Sequence, residues 1–144
     1  NRRIIVPISY GKDYGGVKNI KSLVHNNNIK GLDKGIPLPE YTALFKTISH
    51  AVFGMIRQQA TGNVDLCICN GIKIFLYKDS VVYQYLKNSG YYVYTIEDDL
   101  CTDELSIPLT KEKALHNYQL LLSKLMRNKE IAEKELNTIL KYKK

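Results

Sequence analysis

Four carboxylates crowd one stretch of this chain: Asp98 and Asp99, then Asp103 and Glu104. Oxygen donors gathered in this way suit a hard divalent cation. A calcium loop, however, alternates its ligands and needs a glycine at its sharp turn, and this stretch has neither. It reads better as a solvated acidic loop that could meet a basic partner. Cys67 and Cys69 lie two apart on what reads as a strand, so they would share one face. With Cys101 and a histidine they reach the count of a zinc site, but structural zinc sites use Cys-x-x-Cys pairs and the chain has none. The cysteines therefore read as small hydrophobes. His25, His50 and His116 are scattered, with no Ser or Cys at a diagnostic spacing. The run Gly11 to Gly16, Gly-Lys-Asp-Tyr-Gly-Gly, is only superficially a phosphate loop, because the second glycine is not followed by Lys and Ser or Thr. No complete catalytic motif, metal set or cofactor site emerges, and the sequence leans away from an enzyme.

A second constellation suits binding. Lys46, His50, Phe53 and Arg57 recur at four-, three- and four-residue steps. On a helix they would form one stripe, basic with an aromatic inside it, able to hold phosphates and stack a base. Lys12 and Lys18 could extend such a nucleic-acid surface. The alternative is an ordinary solvated face. Phe53 lies off the apolar stripe and calls for a cover, whether a neighbouring element, another domain or a partner. Tyr83, Tyr85, Tyr91, Tyr92 and Tyr94 are suited equally to amphipathic contact and to strand formation.

The elements that must position these residues are read from periodicity. Tyr41, Leu44, Phe45, Ile48, Val52, Met55 and Ile56 make one apolar stripe, predicting a central helix over 40–61. Pro37 and Pro39 suit its entry and Gly62 its exit. Val64–Cys69 and Ile72–Lys78 then read as two strands joined by Asn70-Gly71, a hairpin 64–69/72–78 with a type I′ turn. Further strands are expected near 3–10, with Pro7 favouring an edge, and near 91–96. Val17 to His25 reads as a short helix and Ile29 to Pro39 as a connection. Asp79 or Ser80 caps a helix to about Asn88, ended by Gly90, and this short crossover favours parallel pairing of its flanking strands. Thr110 opens a long C-terminal helix with apolar Leu115, Tyr118, Leu121, Leu122, Leu125, Ile131, Ala132, Leu136, Ile139 and Leu140. Its stripe loses contrast at Arg127–Glu130, where a break or bend is expected. The sum is an α/β fold, a small layered domain with a mixed sheet.

The chain has 144 residues and a net charge of +7. That length suits one domain with a real core. Beginning at Asn1, it reads as a domain excised from a larger protein, with the helix 110–144 free to extend from it. The charge permits a nucleic-acid or acidic partner without requiring one. An odd count of three cysteines in no framework spacing suggests a reducing, intracellular compartment, cytoplasm or nucleus. No apolar run approaches a membrane span, and no signal-peptide pattern is present.

The run from about Ile48 to Lys78 resembles the later core of restriction-endonuclease-like (PD-(D/E)XK) domains, and most of all the N-terminal part of type I restriction motor subunits. There a helix carrying glutamines leads into an apolar strand, an Asn-Gly turn and an aromatic-rich strand. The matching residues are Gln58, Gln59, Asn70, Gly71, Phe75 and Tyr77. The resemblance implies a nuclease-like fold holding a divalent metal on an Asp and a Glu-x-Lys strand. If Asp65 and Lys78 take those places, Leu76 stands where the second carboxylate is needed. If the metal strand is instead Arg3–Lys12, no carboxylate precedes its lysine. The resemblance thus implies a relative kept for binding, unless the active residues lie elsewhere in a longer parent. Three readings follow: a non-catalytic module binding a protein partner and also nucleic acid, a divergent metal-dependent nuclease, or an oligomerisation domain working through its C-terminal helix.

Overall fold

The computed structural model describes residues 3–7, 28–32, 35–58 and 60–142. The loop Gly11–Gly16, the helix expected over Val17–His25, and Lys12 and Lys18 lie outside the described residues. The chain divides into two compact units, Asn1–Tyr41 and Thr42–Lys144.

In the first unit, β1 (Ile4–Pro7) pairs in parallel with β2 (Ile29–Leu32), Ile4 opposite Ile29 and Pro7 opposite Leu32. Ile29–Leu32, expected as connection, is therefore a strand. Pro7 sits at the end of β1, where a missing ladder donor costs least.

The second unit is three strands and the helices that cross between them. Helix α1 (Leu38–Phe45) leads in from the first unit, and β3 (His50–Phe53), β4 (Lys73–Leu76) and β5 (Tyr94–Thr95) form a parallel sheet in chain order. Helix α2 (Thr61–Cys69) carries the chain from β3 to β4, and α3 (Val81–Asn88) carries it from β4 to β5. The α/β class and the parallel pairing across Ser80–Asn88 are as expected. The central helix over 40–61 is not. It stops at Phe45, where Lys46 and Thr47 N–H groups turn back to Ala43 and Leu44 and the Thr47 hydroxyl also donates to Leu44 O. That side-chain bond competes with helix propagation, and the β-branched Thr47 and Ile48 disfavour its resumption.

The expected hairpin 64–69/72–78 is also replaced. Residues 61–69 are helical, because Val64, Cys67 and Ile68, at three- and four-residue spacing, are the buried set. Asn70-Gly71 ends this helix instead of turning a hairpin. Gly71 N–H donates to Ile68 O and Ile72 N–H to Cys67 O, with Gly71 at φ 65°. These are the paired bonds of a Schellman ending. Helix α3 ends in the same way: Gly90 at φ 86° donates to Lys87 O and Tyr91 to Leu86 O. Each ending turns the chain directly into the next strand, and β4 is buried along its whole length. Without the hairpin, both sheets among the described residues are purely parallel.

After β5 come two short helices, α4 (Ile96–Asp99) and α5 (Thr102–Ser106), where an acidic loop was expected. The long helix α6 then runs unbroken over Lys111–Tyr142, 32 residues and roughly 48 Å at 1.5 Å per residue. Of the break or bend expected at Arg127–Glu130, the break does not occur, because Arg-Asn-Lys-Glu contains neither glycine nor proline and lost apolar contrast alone does not break a helix. The first turns of α6 pack on the unit. Leu121 and Asn117 are buried, and a Cβ on Gly71 would stand 3.2 Å from Ala114.

Candidate functional site

Three regions of the second unit gather side chains that could act: the C-terminal ends of the strands, the sheet face around Lys73, and the exposed side of α6.

Ligands of open α/β sheets sit beyond the carboxyl ends of the strands, where the strand order reverses. Here the order follows the chain, so the described sheet has no such reversal. Its carboxyl edge is tied together by structural bonds. Lys78 N–H donates to both Glu97 oxygens at 3.1 Å, and the Lys78 ammonium pairs with Asp98. That hydrogen bond to Asp98 holds the Lys78 ammonium above the usual lysine range. Asp99 accepts from the N–H and the hydroxyl of Thr95, at 2.7 and 2.9 Å, while Thr95 Oγ1 accepts from Asp98 N–H. This reciprocal cap explains why Glu97, Asp98 and Asp99 sit at the start of α4, where carboxylates satisfy free amides and the helix dipole.

The second region centres on Lys73. It is 2% exposed, in the first position of β4. Its ammonium pairs with Glu104 of α5 and donates to the carbonyls of Glu104 and Ile107 at 2.9 and 3.0 Å. It also lies 4.6 Å from the centre of the Tyr94 ring, close enough for a cation–π contribution. His50, opposite Lys73 in the register, places Nε2 3.2 Å from the same Ile107 carbonyl and Nδ1 2.8 Å from Ser49 Oγ. Lys113 donates to Tyr94 Oη at 3.2 Å, which raises the lysine's affinity for its proton. The polar groups of Lys73, His50 and Lys113 are thus engaged with the protein's own structure, pinning the segment Glu104–Ile107 across the sheet. This cluster escapes sequence reading, because nothing in the spacing joins Lys73 to a carboxylate so far along the chain.

The residues expected to form a basic stripe do not share a helix. Lys46 is exposed in the turn after α1, and Arg57 is exposed in the bend after β3. His50 and Phe53 lie on β3 three positions apart, an odd step that points their side chains to opposite faces. Cys67 and Cys69, expected on one strand face, are on helix α2 instead. Cys67 is buried and Cys69 exposed, and burial pushes the Cys67 thiol up to about 12. Among the described residues, no three His, Cys, Asp or Glu side chains converge where they could hold a metal ion. A groove of about 350 Å³ between α2, α3 and α6 is walled by Gln58, Asp65, Tyr85 and Lys124, with Val64 and Val82 inside. On its wall the Lys124 ammonium lies 5.3 Å from the centre of the Tyr85 ring.

The third region sets apolar side chains among charged ones on the exposed side of α6. From Leu125 to Ile139 every residue of α6 is exposed, including Leu125, Met126, Ile131, Leu136 and Ile139. Leu115, Tyr118 and Leu122 on the docked half are exposed as well. None of the described helices is long and apolar enough to cross a membrane.

No known protein family, curated protein or solved structure matches this chain. Over Ile48–Lys78, the run that resembles restriction-endonuclease-like domains, the element order is strand, helix, strand rather than helix, strand, turn, strand.

Proposed function

We propose that this chain is a non-catalytic interaction module that binds protein through the exposed apolar side of α6. The observation that carries the reading is the run from Leu125 to Ile139, helical throughout yet exposed at every position. Most helices in proteins are stabilised by packing an apolar face, not by propensity alone. Exposed apolar residues that align along such a helix suit contact with a further surface. The polar clusters fit the same reading, since Lys73 and Glu104 hold each other while His50 faces Ser49 Oγ and the Ile107 carbonyl.

The test uses the whole chain, with Leu122→Glu/Leu136→Glu as control. A protein retained by the parent and lost by the double variant is the expected result. Binding is also measured to duplex and single-stranded DNA and RNA at two salt concentrations, with and without Mg²⁺. Binding that weakens steeply with salt and again in Arg57→Ala would move the reading to a nucleic-acid module. Cleavage with Mg²⁺ would overturn the non-catalytic reading in favour of a divergent nuclease.

A further inference from the structure

One line of exposed residues on α6 keeps a stricter period than an ordinary amphipathic face, with Met126 and Ile131 outside it. Leu115, Tyr118, Leu122, Leu125, Lys129, Ala132, Leu136 and Ile139 follow one another at alternating three- and four-residue steps. That is a heptad seam, with Leu115, Leu122, Lys129 and Leu136 in its first position and Tyr118, Leu125, Ala132 and Ile139 in its fourth. A 3.5-residue repeat keeps one side turned towards a second helix that supercoils with it. All eight side chains are exposed, and the six large apolar ones are 43% to 57% accessible. The partner expected of such a seam is therefore another heptad helix.

We infer that this partner is α6 of a second copy, paired antiparallel. The inference rests on the interaction reading above and names the partner. It has three grounds. First, the two halves of the seam differ. Leu115 to Leu125 flank a stretch docked on its own unit through Ala114, Asn117 and Leu121, while Leu125 to Ile139 stand free. Antiparallel pairing lays each free half along the exposed stripe of the other copy's docked half, so both are covered at once.

Second, one register matches the side chains. Setting Leu125 against Lys129 of the other copy also sets Leu122 against Ala132, Tyr118 against Leu136 and Leu115 against Ile139. Leu122 faces the smallest seam residue, as interdigitated packing requires. The two-fold axis then lies level with residue 127, one position from Met126 of each copy, whose flexible thioether suits irregular space beside it. Third, charge disfavours the parallel alternative. A parallel dimer in register would press Lys129 against Lys129, whereas the antiparallel register lays its stem beside Leu125 with the ammonium reaching solvent. A seam of eight positions in two strands hides on the order of 800 Å² per partner, the scale of a standard specific interface.

The experiment weighs the full chain by sedimentation equilibrium from about 1 to 200 μM and fixes orientation by disulfide trapping. The trapping background carries Cys69→Ser and Cys101→Ser, removing the two exposed thiols. A concentration-dependent rise from 16.5 kDa to twice that mass is expected. Leu136→Glu should weaken it at least about tenfold. Because Leu136 is exposed, this change leaves the packed unit intact, as circular dichroism on the same sample can check. Under mild oxidation a mixture of Tyr118→Cys and Leu136→Cys chains should cross-link, while Leu136→Cys alone should not. A chain that stays monomeric to 200 μM overturns the inference. So does ready self-linking of Leu136→Cys, which would mark a parallel seam. A monomer that still retains another protein through the same face would overturn the self-pairing and leave the interaction reading standing.

Discussion

Lys73 is the residue whose removal most directly tests how the second unit is held. Glu104→Gln takes away the carboxylate paired with its ammonium and keeps the shape. Two unit charges about 4 Å apart attract by roughly 4 kcal/mol at an effective dielectric near 20. The Glu104 side chain is 40% exposed, so water already shares its solvation and the net loss is smaller. The carbonyls of Glu104 and Ile107 also stay in place as acceptors. A cost of about 2 kcal/mol is expected, below the ~3–5 kcal/mol seen when a fully buried pair loses one member. Lys73→Met fills similar volume but takes the N–H donors from the Glu104 and Ile107 carbonyls as well as the charge, and should cost about 2–4 kcal/mol. In the Lys73→Met background, Glu104→Gln should then cost under about 0.5 kcal/mol, leaving a coupling near 1.5 kcal/mol. Urea unfolding of the four chains, at one fixed protein concentration because association would shift apparent stability, gives the cycle. For a unit of this size, Glu104→Gln should lower Tm by about 8–16 °C. A coupling below about 0.5 kcal/mol would refute the reasoning, since the ammonium would then rest on the carbonyls alone.

Other parts of the unit give further outcomes. Asn117 is 2% exposed and bridges both the N–H and the carbonyl of Tyr92, at 2.8 and 3.0 Å, so Asn117→Ala should cost about 2–3 kcal/mol in urea unfolding. Asn117→Asp, which keeps the acceptor and loses the donor, should fall between Asn117→Ala and the parent. Ala60 precedes α2 at φ 52°, a left-handed conformation that alanine resists, and its side chain cannot cap. Ala60→Gly should therefore stabilise the unit by about 0.5–1 kcal/mol, seen as a higher urea midpoint. Cys67 carries its proton to about pH 12 when folded, because burial penalises the thiolate. A thiol whose folded pKa is raised contributes stability that is present below the unfolded value, about 8.5, and lost as pH rises towards 12. Stability should thus decline from about pH 8.5 upward, and a thiol reagent at pH 8 should modify Cys69 and Cys101 while reaching Cys67 only on unfolding.

What could be read in the sequence was whatever local chemistry settles by itself. Ser80 and Gly90 bracket α3, and the pairing across it follows from a crossover too short for anything but a neighbouring parallel strand. The stretch Lys111–Tyr142 has no breaker and forms one helix. Where one local signal serves two structures, the sequence alone does not choose between them. Asn-Gly supplies a positive φ, which a hairpin turn and a Schellman ending both require. The choice lay in Val64, Cys67 and Ile68, whose burial favours the helical period over the alternation that Val64, Leu66 and Ile68 also offer. Lys73 was invisible for another reason. A lysine in a strand ordinarily marks a solvent face, and only the return of α5 over the sheet supplies Glu104 and Ile107 to hold it inside. The α6 seam lies between these cases. Its heptad spacing stands in the sequence, but Lys129 interrupts its apolar run within Arg127–Glu130, where lost contrast predicts a break or bend. With the helix continuous, that lysine becomes a seam position, and a charge on the seam restricts which register and orientation a second helix can take.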